Sequence, residues 1–504
     1  MKLGHLAVLG GVLSALAWTS EAHDTSGNAL RMRAHASSAA TLGLDVSSKL
    51  DQKSGKGMND GENHGHPDIP DGAKIITIPV DDSGTKIPLY WPKHTNDKKA
   101  KSAYIAIHGR KRDGNRYWKV MKNILQSAVD NNYPGADKNA LVIAPQFYSR
   151  KLNKGQYSND TLAWNDINGW EAGGVATHPS GTKQTSFDAM DALLTFLSDS
   201  KRFPSMKNIT LLGHGGGGQL VNRYAAVGDD PPDKKVHVRY VVGDPSSSPY
   251  FTADRPVTDG KIASTNTCKG YNSWRYGFDD FPGKAPGKAT GKKSPKDYFG
   301  QYINRDVINI VGHADTARNG DQKCMALLQG GHKRRDRNLS WWRYINMLAR
   351  TSDVLDGFPG NFNNLPDWSD VSHNHIRTRL TIVKDASHDV EAVYNCNEGR
   401  SALFRDSDLS IGWRPHAWRQ AIKKKQRQAS SSSSSSSSTH SPKATSSKRS
   451  GDESGRSAQV SAQRKIGVKD NMATRSSAAG SRPFNMVTLT SVVLLGIWAF
   501  SVVL

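Results

Sequence analysis

Six short apolar runs recur through the middle of the chain, each stopping on a polar or flexible residue. They are SAYIAIHG (102–109), ALVIAPQF (140–147), NITLLGHG (208–215), VHVRYVVGD (236–244), DVINIVGHAD (306–315) and RLTIVKDASHD (379–389). Four to six consecutive apolar or β-branched residues without polar alternation read as strands buried on both faces. Segments of helical period lie between them, among them TSFDAMDALLTFLSD (185–199) and GQLVNRYAA (218–226). Strands alternating with helices predict an α/β fold, a mostly parallel sheet with helices on both faces. KIITIPV and KIPLYWP, flanking Asp81-Asp82-Ser83-Gly84, predict a hairpin ahead of it.

In such a sheet the reactive groups gather where strands end and loops enter helices. The candidates are therefore His108-Gly109-Arg110, Gly215, Asp244, Asp315 and His388. LLGHGGGGQL (211–220) has the most unusual composition of these strand ends. It satisfies a dinucleotide-binding glycine pattern only because nearly every position is glycine, and its strand is not the first of the sheet, so no cofactor is expected. A second reading is a turn of the form G-x-S-x-G in which glycine stands where the serine would be.

An elbow after the fifth strand, an acid after the seventh and a histidine after the eighth follow the chain order of the α/β-hydrolases. From about residue 74 to 415 the chain resembles that family, most specifically in IAIHGR, LLGHGGGGQLVNRYA, VGHAD and KDASHD. The resemblance implies the α/β-hydrolase fold with a central sheet of about eight strands. It places Gly215 at the nucleophile, Asp315 at the acid and His388 at the base. The oxyanion donors would be the backbone N–H groups of Gly216 and Arg110. Glycine bears no Oγ and cannot form an acyl adduct, so the expectation is a hydrolase-like protein without serine-hydrolase activity. The alternatives are hydrolysis by water or another nucleophile, with Ser246, Ser247 and Ser248 as replacements, and a cell-wall or surface adhesion module. Asp385 and Asp389 rival Asp315 as partners of His388, and His313 lies beside Asp315.

The remaining sequence sets organisation and surroundings. Residues 1–22 read as a secretory signal, 23–70 as a disordered leader, 71–420 as the hydrolase-like domain, 421–482 as a Ser-rich basic stalk and 483–504 as a hydrophobic anchor segment. Small residues around Ser476 and Ser477 suit GPI attachment, with a single C-terminal transmembrane helix as the alternative. Both put the protein on the extracellular face of a membrane or in the cell wall. Hydrophobic residues are only 36% of the chain, which fits one large domain with unfolded tails. Much of the net charge of +22 lies between Lys423 and Arg482. On a secreted chain such a tail suits anionic wall polymers or lipid headgroups rather than nucleic acid. The ligand of the domain is an unidentified small molecule or polymer. Three cysteines allow one disulfide, with Cys268–Cys324 the favoured pairing of three. Asn159, Asn208 and Asn338 head glycosylation sequons. No metal is expected, His64 and His66 in the leader included. Trp118, Trp164, Trp170, Trp274, Trp341 and Trp342 are taken as core or loop anchors before ligand platforms, and the run Lys333 to Arg337 as a solvated face.

Overall fold

The structure, a computed structural model, describes residues 68–434 except 166–167, 257–258, 285–291 and 405–407. The signal segment, the leader up to residue 67, the stalk beyond Ser434, the anchor segment and Ser476 and Ser477 lie outside the described residues.

Eight strands form the central sheet: β1 (Ala73–Pro79), β2 (Lys86–Pro92), β3 (Ser102–Ile107), β4 (Leu141–Pro145), β5 (Asn208–His214), β6 (His237–Gly243), β7 (Asp306–Gly312) and β8 (Arg379–Val383). Their order is β1-β2-β4-β3-β5-β6-β7-β8. β1 and β2 form the expected antiparallel hairpin and β2 also runs antiparallel to β4, whereas every pairing from β4 through β8 is parallel. β4 and β7 are buried at every position, which the apolar run of β4 requires, and in β7 burial extends to Asp306 and Asn309.

Side chains alternate between two cores, one on each face. Along β3, Ile105 and Ile107 enter one and Tyr104 and Ala106 the other. The first core is closed by α2 (Ser186–Leu197), α3 (Gly216–Val227), α4 (Pro295–Asn304) and α5 (Arg334–Leu348); the second by α1 (Gly114–Asp130) and α6 (Asn397–Phe404). α1 presents Tyr117, Met121, Ile124, Leu125 and Ala128 at helical spacing. α2 starts at a capping box, Thr185 accepting from the backbone of Asp188 and the Asp188 carboxylate accepting from Thr185.

The six tryptophans are buried and serve the core or its loops. Cys268 and Cys324 form the disulfide and Cys396 is free. Two expectations change. Arg334 and Arg337 are not on a solvated face but are 2% exposed, because α5 turns them inward onto Asp315 and onto the carbonyls of Gly331, Ser246 and Asp321. Asn338 is buried and its amide donates to the carbonyls of Pro245 and Arg334, which leaves no room for a glycan. α7 (His416–Ser434) crosses the boundary expected at 421, helped by its Ala, Lys, Gln and Arg residues, and the rest of the stalk lies outside the described residues. Asn159 is exposed and Asn208 half-buried. Among the described residues no helix is long and apolar enough to cross a membrane.

Candidate active site

The glycine run is a packing device. A Cβ on Gly217 would fall against the Ile107 carbonyl of β3, one on Gly218 against the Gly243 carbonyl of β6, and one on Gly213 against the backbone of Gly217. α3 therefore sits directly on three strands, at a separation that only glycine permits. Gly215, at the tip, differs. Its φ of +59° and ψ of −112° give the sharp strand-to-helix elbow, and a Cβ there would meet only His388, with Nε2 at 2.9 Å.

The loop after β8 brings His388 over this elbow, and the loop after β7 brings Asp315 beneath it. His388 Nδ1 donates to Asp315 Oδ2 at 2.9 Å, which leaves Nε2 facing Gly215. Gly215, Asp315 and His388 are thus one cluster. Gly216 and Arg110 also meet: the Arg110 backbone nitrogen is 3.3 Å from where a Gly216 Cβ would stand. Together they line a cleft of about 240 Å³ with Lys111, Asp113, Arg116, Ser246 and Arg334.

Asp385 is exposed and Asp389 caps the following turn, accepting from the backbones of Glu391 and Ala392. His313 stacks on Trp413, with ring centroids 3.9 Å apart. Ser247 and Ser248 are bonded to Gln219, Arg223 and Asn222 of α3; of the three serines only Ser246 lines the cleft.

Sequence reasoning missed two charged neighbours. Arg334 clamps Asp315 with Nε and Nη2, each 3.0 Å from a carboxylate oxygen. Burial alone would raise the Asp315 pKa, but the His388 hydrogen bond and the Arg334 charge outweigh it and hold the carboxyl below its ordinary range. An acid already neutralised by arginine supports an imidazolium less well. The His388 pKa is lowered, first by desolvation and with a contribution from Arg334, although its side chain is 31% exposed at the cleft mouth. The second neighbour is Glu171, fully buried, whose Oε2 accepts from Gln219 and Arg275 and whose Oε1 fills the space beside Gly216. Neither residue had a motif to betray it, since both arrive from loops and helices remote in the chain.

His214 and Asp244 complete the floor. His214 is 3% exposed, its ring lies 4.4 Å from that of His388, and neither of its nitrogens has a hydrogen-bond partner among the described residues. Burial keeps its pKa well below the ordinary value. Asp244 is fully buried, takes a φ of +40° and accepts from the Gly312 N–H; burial and the charge of Asp315 push its carboxyl well up. His108, another strand-end candidate, is committed to structure: Nδ1 meets the Gly109 carbonyl and Nε2 accepts from the Phe147 N–H.

No protein-family model and no curated protein matches the chain. Solved structures similar to it include poly(aspartic acid) hydrolase-1 from Sphingomonas sp. KT-1, at 15% identity over 64% of this chain and 95% of that one, with a TM-score of 0.40. LpqC, a poly(3-hydroxybutyrate) depolymerase from Bordetella parapertussis, is 16% identical over 67% and 92%, with a TM-score of 0.42. The siderophore hydrolase EstB from Aspergillus nidulans is 13% identical over 69% and 99%, with a TM-score of 0.32.

Proposed function

We propose that this chain, an α/β-hydrolase-fold protein by its strand order, elbow and late acid and histidine, forms no acyl-enzyme and acts as a surface-displayed binding protein. The observation that carries the reading is Gly215: the elbow is kept and its reactive atom is missing. The Arg334 clamp on Asp315 supports it, because it weakens the base that a nucleophile would depend on. Display rests on the apolar N-terminal and C-terminal segments of the sequence. The pocket above the elbow holds the ligand, and the basic stalk between Lys423 and Arg482 favours anionic wall polymers or headgroups.

A fluorophosphonate probe tests this. The wild-type protein should remain unlabelled, and covalent labelling that disappears in His388→Ala would overturn the reading. The intact 2.9 Å pair of His388 and Asp315 favours a second reading, hydrolysis with water as attacker. That reading predicts ester turnover lost in His388→Ala without any covalent labelling.

A further inference from the structure

We propose that His214, Asp244 and His388 form a binding site for a divalent transition-metal ion, zinc by ligand chemistry. The inference goes beyond the reading above and does not rest on it. One ligand atom from each residue lies within 4.8 Å of the other two, although they come from the ends of β5, β6 and β8. His214 Nδ1 and Asp244 Oδ2 are 3.9 Å apart. Two imidazoles and one carboxylate around an open position are a zinc-type ligand set, whereas calcium and magnesium prefer oxygen alone.

Three features point to a cation rather than to inert packing. A buried imidazole with two unpartnered nitrogens is an uncommon arrangement in a folded protein, and among the described residues His214 is one, on the wall of the cleft. The outer interactions expected of ligands are present: His388 Nδ1 is held by Asp315, which leaves Nε2, facing Gly215, for a metal, and Asp244 is oriented by the Gly312 N–H. Finally, Gly215 keeps the space beside Nε2 open, where a Cβ would stand 2.9 Å away. The glycine that removes a nucleophile also leaves access to a metal ligand. Drawing 4.8 Å down to the spacing of about 3.3 Å found around tetrahedral zinc requires the rings to turn, and His388 lies at the open mouth where it can.

The experiment is zinc titration of the folded, tag-free full chain by calorimetry, with cobalt(II) absorption as a readout of histidine coordination. The expected result is one site per chain, weakened about tenfold or more in His214→Ala, Asp244→Asn and His388→Ala. His388→Ala serves if the buried variants fail to fold, because its side chain is partly exposed. Gly215→Ser should weaken zinc as well, whereas the leader double variant His64→Ala/His66→Ala should leave it unchanged. Absence of a zinc site in the wild type, affinity that survives His388→Ala, or affinity lost with the leader histidines would each overturn the proposal. Fluorophosphonate labelling of the wild type would overturn the binding reading and leave this one standing.

Discussion

Placing serine at position 215 asks a side-chain-bearing residue to hold φ at +59° and His388 to move aside. The first demand costs about 1–3 kcal/mol; the second is smaller, since the obstruction is the end of a side chain and not backbone. Gly215→Ser should therefore fold with a lower unfolding midpoint in urea, and it should acquire fluorophosphonate labelling that His388→Ala abolishes. A folded Gly215→Ser that stays unlabelled would show that this position is not the nucleophile's. His108 carries a prediction of another kind. Burial lowers its pKa to about 3, below the ordinary 6.5. The unfolded chain then binds the extra proton, so stability is complete above pH 6.5 and falls as pH drops below it, by about 2 kcal/mol at pH 5. His108→Gln should reduce the fall of ΔG between pH 7 and 5 by about that amount and leave the part due to His214 and His388, whose pKa values are lowered as well. Asp244, with its raised pKa, contributes with the opposite sign, but it is common to both proteins and cancels in the comparison.

The element that most constrains the site is α3, because its first turn lies on the backbones of β3, β5 and β6. Alanine is the better helix former by about 1 kcal/mol, yet a methyl group at 217 would overlap the carbonyls of Ile107, at the end of β3, and of His108, just after it. Overpacking of that kind costs about 1–3 kcal/mol or more, so the steric effect wins. Gly217→Ala should lower the thermal midpoint, and a midpoint at or above wild type would show that the helix does not pack this closely. The same closeness sets the base of the cleft, since it brings Gly216 and the Arg110 backbone to one point.

At the scale of the molecule, the Cys268–Cys324 bridge closes a loop with a sequence separation of 56 and ties the region after β6 to the region after β7. By loop-closure entropy, opening it costs about 4 kcal/mol. Reduction should lower the denaturant midpoint, and alkylation of the unreduced protein should modify Cys396 alone. Modification at Cys268 without reductant would refute the pairing. Display at the surface has its own test: phosphatidylinositol-specific phospholipase C should release the protein from membranes if it carries a GPI anchor. Retention after that treatment would point to the transmembrane alternative.

The alternation of unbroken apolar strands with amphipathic helices determined the sheet, and turn positions at strand ends located Gly215, Asp315 and His388, because these signals are local to a few residues. The same locality explains what sequence left open. Arg334 reads as one more member of a charged run until α5 turns it onto Asp315, and Glu171, His214 and Asp244 acquire their surroundings from four separate loops or strand ends. Asn338 is a sequon in sequence and a buried hydrogen-bonding amide in the fold. Burial, and with it proton affinity, partner choice and the space left for an ion or a nucleophile, depends on contacts between residues distant in the chain, and those only the tertiary structure decided.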